Sequence, residues 1–123
     1  MSNKDEYIRI QLKDSYYCGV SLDFIPAINS KVNLSSMEKD IFHHIFLNYN
    51  SMSYAKSKSI PFEISIQELM DVCYTKCRKS VYNAVEYLKE AKLIICLNPN
   101  ERGKRKYITD NKLINQYLEE WRR

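Results

Sequence analysis

Twice in this chain a serine stands three residues ahead of a glutamate at the start of a helically spaced apolar run: Ser35-Ser-Met-Glu38 and Ser65-Ile-Gln-Glu68. In this pattern the hydroxyl and the carboxylate each accept a backbone N–H that the first helical turn leaves without a partner, so the pair fixes where a helix begins. Behind Ser35, residues Met37, Ile41, Phe42, Ile45, Phe46 and Tyr49 fall on one face. This predicts a helix over about 36–49, with the polar, serine-rich stretch 50–59 as a loop. Behind Ser65 a short helix turns Leu69, Val72 and Cys73 inward. A tight connection at Tyr74-Thr75-Lys76 leads to a third helix over about 77–91, striped by Val81, Ala84, Val85 and Leu88, with Thr75 or Lys76 at its start.

Strand signals surround these helices. Residues 7–12 alternate Ile8, Ile10 and Leu12 with Arg9 and Gln11, the period of a half-buried strand. The segment 13–34 is interrupted by Gly19 and Pro26 and carries no clear period; Phe24, Ile25 and Ile28 are expected to plug it onto the core. Residues 60–64 read as a short strand whose proline suits an edge position. Leu93-Ile-Ile-Cys-Leu97 is too short for a helix, Asn98 to Arg105 is rich in breakers, and Lys106-Tyr-Ile-Thr109 returns as a strand. The pair is a β-hairpin with a basic tip. Asp110 can cap a last helix over 111–122, striped by Leu113, Ile114, Tyr117, Leu118 and Trp121. The expected class is α+β, mainly helical, in one domain: an N-terminal extension over 7–34, a core over 35–109 and a C-terminal helix over 110–123.

Charge is unevenly spread. The net charge is +4, yet residues 76–106 carry Lys76, Arg78, Lys79, Lys89, Lys92, Arg102, Lys104, Arg105 and Lys106 against Glu86, Glu90 and Glu101, leaving the remainder slightly acidic. Such asymmetry points to a polyanion-binding face. No apolar run approaches the roughly 18 residues that span a bilayer, and the N-terminus lacks a secretory apolar stretch, so a cytoplasmic protein with no membrane contact is expected. Cys18, Cys73, Cys77 and Cys96 include no C-x-x-C pair, and His43 and His44 are adjacent on a helix and point apart. Reduced cysteines used as small hydrophobes are expected, with no metal and no cofactor. A phosphate loop, a nucleophile elbow and an H-E-x-x-H helix are all missing from the sequence, so no enzyme is expected.

A short helix, a tight turn, a second helix basic at its start, and a basic hairpin follow one another. A helix about 10–12 Å across fits the major groove of B-DNA, about 12 Å wide. In Ser65-Ile-Gln-Glu-Leu-Met-Asp-Val-Cys-Tyr and Lys79-Ser-Val-Tyr-Asn-Ala-Val-Glu-Tyr-Leu-Lys-Glu-Ala-Lys-Leu-Ile the chain resembles the winged helix-turn-helix superfamily. The second run is similar to that family's recognition helix leading into the first wing strand. In element order, residues 7–109 also resemble the N-terminal DNA-binding domains of phage and plasmid replication initiators. The chain departs from the pattern where the family often has glycine, in the helix–helix turn and at Lys92. A lysine held left-handed there costs about 1 kcal/mol.

The resemblance implies sequence-specific binding of double-stranded DNA, as a transcriptional regulator or a phage or plasmid replication or segregation factor. Arg78, Lys79, Tyr82 and Asn83 would read bases, since arginine pairs with guanine and asparagine with adenine in the major groove. Lys76 and the hairpin's Arg102, Lys104, Arg105 and Lys106 would hold phosphates. The plainer alternatives are a solvated helix face and a hairpin tip charged for solubility. Tyr107 is expected to pack at the hairpin base. The stripe Leu113, Tyr117, Leu118 and Trp121 either packs on its own chain or pairs with a second copy in a homodimer, the arrangement that suits a palindromic site. A protein-interaction module that uses the same fold without DNA, such as a phage-encoded inhibitor or adaptor, is the alternative function.

Overall fold

The computed structural model describes residues 24–122, except the side chains of Phe24 and Ile25. The strand expected over residues 7–12, the segment 13–23, Cys18 and Arg123 lie outside the described residues. Described are helices α1 (Phe24–Asn29), α2 (Ser36–Lys56), α3 (Ile66–Val72), α4 (Arg78–Glu90) and α5 (Asn111–Trp121), with strands β1 (Phe62–Ile64), β2 (Ile94–Cys96) and β3 (Arg105–Thr109). The class is α+β and mainly helical. Pro26 sits in the first turn of α1, where a missing N–H costs nothing.

Both capping boxes form. The Ser35 hydroxyl accepts the Glu38 N–H at 3.2 Å and the Glu38 carboxylate accepts the Ser35 N–H at 2.8 Å; the Ser65–Glu68 pair repeats this at 3.1 Å both ways. Helix α2 buries Ile41, Phe42, Ile45, Phe46 and Tyr49 and packs on α3, α4, β1 and β3, so it is the spine of the core. Phe42 and Phe46 stack with ring centroids 5.4 Å apart. The expected end near residue 49 is corrected: α2 runs on to Lys56 and closes on Ser57, whose φ of 55° is left-handed. Its last turns bury Asn50 and Ser53 instead of apolar residues. The Ser53 hydroxyl accepts the Ile60 N–H at 2.8 Å, and Asn50 donates to the Phe46 carbonyl at 2.7 Å.

The three strands form an antiparallel sheet of order β1-β3-β2, with Phe62, Ile64, Ile94 and Tyr107 turned inward. Glu63 and Lys106, and Ile95 and Ile108, are opposite one another on the outward face. Helix α5 begins at Asp110, whose carboxylate accepts the Leu113 N–H at 3.1 Å. It packs on α1, burying Ile114 and Leu118 beside Ala27 and Ile28, and Lys31 meets Glu120 at 3.3 Å. Leu118 therefore belongs to the chain's own core, which removes it from the proposed dimerisation stripe; at 1% exposure it has no surface to offer. Leu113 and Tyr117 are half-buried and Trp121 is 46% exposed.

Candidate nucleic-acid interface

Helix α4 buries Val81, Ala84, Val85 and Leu88 against α2, α3 and β2. Its opposite side leaves Arg78, Lys79, Tyr82, Asn83 and Glu86 exposed, as the 3.6-residue period requires. Helix α5 lies on α1, so the outer face of α4 stays open to solvent among the described residues. The Tyr87 hydroxyl donates to the Asn33 carbonyl at 3.1 Å and ties the flank of α4 to the loop before α2. Positive charge without an ion-pair partner among the described residues is confined to the head of the helix. Glu86 and Glu90 occupy the outer side of its second half, and Lys89 is paired with Glu86 at 3.1 Å.

The connection into α4 is tight. Tyr74 takes a left-handed φ of 52° and is 97% exposed, filling the turn position where a glycine would be unstrained. Cys77 is the N-cap, displacing Thr75 and Lys76 from that role, and its side chain makes no cap hydrogen bond. The Thr75 hydroxyl instead accepts the Cys77 N–H at 3.1 Å, while the Ser80 hydroxyl donates to the Cys77 sulfur at 3.0 Å and holds that thiol's pKa below its usual range. No acidic residue lies in the first turn. The positive end of the helix dipole is thus joined by Lys76, Arg78 and Lys79, none of which makes an ion pair among the described residues. A capping side chain would add about 1 kcal/mol and a carboxylate about 0.3–1 kcal/mol at such a place. Helices α2 and α3 have both; α4 has neither.

At the other end, Lys92 takes the left-handed conformation expected of it, with φ 64°. The chain then enters the β2–β3 hairpin, whose loop is organised by Asn98, the first residue of the breaker-rich run. Its side chain accepts the Lys106 N–H at 2.7 Å and donates to the Lys104 carbonyl at 3.2 Å, and Gly103 makes the turn at φ 86°. Asparagine directly before proline in a breaker-rich run was the available signal. The four basic residues of the hairpin are not equivalent. Arg102 is exposed and unpaired among the described residues. Lys104 meets Glu68 at 3.3 Å and Lys106 meets Glu63 at 3.8 Å. Arg105 is half-buried on the inward side of the strand, where its guanidinium donates to the Pro99 carbonyl. It faces the opposite way from Lys104 and Lys106, because alternate residues of a strand point to opposite sides.

Tyr107 is buried at the hairpin base, as expected. Burial, with a smaller contribution from Cys96, pushes its hydroxyl up to about 12; Glu86 and Tyr82 of α4 also act on it, which puts the hairpin's inner side next to α4. A shallow cleft of about 340 Å3 lies behind the turn, lined by Asp40, His43, His44, Leu47, Val72 and Tyr74. The described residues hold no group of three potential metal ligands. No helix among them is long and apolar enough to cross a membrane. Compared with protein-family models, curated proteins and solved structures, the chain matches none.

Proposed function

We propose that this chain is a winged helix-turn-helix protein that binds double-stranded DNA, with α3 and α4 as the helix-turn-helix and the β2–β3 hairpin as the wing. The element order and the sheet order β1-β3-β2 fit that arrangement. The observation that carries the reading is the head of α4. It is exposed, uncapped, free of carboxylates and flanked by Lys76, Arg78 and Lys79, a combination that works against helix stability and favours an anion. Recognition helices present their N-terminal residues to base edges, and here the cations stand in that part of α4.

In this reading Arg78, Lys79, Tyr82 and Asn83 discriminate bases, and Lys76 and Arg102 hold phosphates. The protein acts in the cytoplasm as a transcriptional regulator or as a phage or plasmid replication or segregation factor. Selection of bound duplexes from a random pool tests this, followed by Arg78→Ala. A base-reading Arg78 should cost the selected site about 1–3 kcal/mol relative to scrambled DNA. Equal weakening on all sequences would remove Arg78 from base reading.

A homodimer through Leu113, Tyr117 and Trp121 would match a two-fold operator; exposure of Trp121 supports it. Sedimentation of wild type and Trp121→Glu checks this, since a monomeric wild type would exclude the arrangement. A protein-binding role without DNA is favoured by one feature, the exposed Ile95 and Leu97 on the hairpin's outer side. That role entails no salt-dependent retention on heparin.

A further inference from the structure

Two of the hairpin's lysines are already held by carboxylates of their own chain. Lys104 reaches Glu68 of α3 and Lys106 reaches Glu63 of β1, at 3.3 and 3.8 Å. We propose that Glu68 and Glu63 are built-in competitors for DNA phosphate, which hold the hairpin in place without DNA and lower its affinity for any duplex. This rests on the DNA-binding reading above and names the residues that restrain that site.

Glu68 is fixed in position. Its Oε1 accepts the Ser65 N–H in the capping box and faces the Lys104 ammonium, so the carboxylate cannot swing away without uncapping α3. Those Ser65 hydrogen bonds, with Lys104 adding to them, keep its pKa below the ordinary carboxylate range, so the charge persists at neutral pH. Glu63 is held by register, directly opposite Lys106 on the outward face of the sheet. All four side chains are about half exposed, so both pairs are screened and weak enough for a phosphate to exchange with them. The exchange brings less than a free lysine would, because the released carboxylate stays beside the duplex. Lys76, Arg78, Lys79 and Arg102 carry no such restraint among the described residues.

Glu68→Gln separates the two roles of that residue, since glutamine serves a capping box equally but carries no charge. Binding of the full chain to a mixed-sequence duplex is followed by fluorescence anisotropy across potassium chloride concentration. Glu68→Gln should bind about two- to fivefold tighter near physiological salt, with a salt slope steeper by about one unit. Adding Lys104→Ala to it should abolish the gain. A salt-dependent wild type with an indistinguishable Glu68→Gln would overturn the inference alone, as would a gain that survives Lys104→Ala. Failure of every variant to bind duplex would overturn the DNA reading and this inference with it. If Glu68→Gln melts early, Glu63→Gln, outside any cap, carries the same expectation through Lys106.

Discussion

At residue scale, the head of α4 sets charge against stability. Cys77 has φ −91° and ψ 94° at the N-cap and offers the first N–H groups of α4 a weakly accepting sulfur where a capping oxygen would stand, while Asp110, with φ −83° and ψ 82°, does cap α5. The backbone at Cys77 is therefore close to one that a capping oxygen can use. Cys77→Ser is expected to raise stability by about 0.5–1 kcal/mol in denaturant titration, with an unchanged m-value. No gain would mean that the Ser80–Cys77 hydrogen bond already organises this turn. Arginine and lysine at 102, 104, 105 and 106 look alike as letters, yet partner and strand face give them three different settings. Strand alternation carried the signal for Arg105; the partners Glu63 and Glu68 lie about 40 residues upstream, beyond what local pattern can reach.

At element scale, most of the order was legible because local chemistry and packing agree. Capping boxes at Ser35 and Ser65, the stripe of α4, the hairpin around Gly103 and the cap at Asp110 are each signalled within a few residues. The end of α2 was not legible. Serine and asparagine usually mark loops, but here Asn50 and Ser53 continue the buried face of the helix by satisfying groups from other segments. Asn50 and Thr109, both buried, and the half-buried Asn111 form a chain of hydrogen bonds joining α2, β3 and α5. Ser53→Ala would strip the Ile60 N–H of its acceptor in a region where Ser53 is fully buried. A loss of about 1–3 kcal/mol in unfolding free energy is expected. A neutral substitution would show that water replaces the hydroxyl and that the last two turns of α2 contribute little. The short α1 had no period to announce it; its place is set by packing on α5, a contact between the two ends of the described chain.

At the scale of the whole molecule, a modest net charge of +4 hides a concentrated one. Lys76, Arg78, Lys79 and Arg102 are exposed and make no ion pair among the described residues, whereas the hairpin's other cations are engaged. Each phosphate neutralised by such a cation releases counterions, so the logarithm of affinity should fall with the logarithm of salt concentration by about 0.9 per contact. The decisive measurement is therefore that slope on duplex DNA, for the wild type and for Lys76→Ala. The two phosphate contacts, Lys76 and Arg102, give a slope of about −1.8 for the wild type, reduced by about 0.9 in the variant, with the fold intact by circular dichroism. A slope near zero, or one that ignores the loss of Lys76, would contradict the assignment of the head of α4 as the surface that meets DNA.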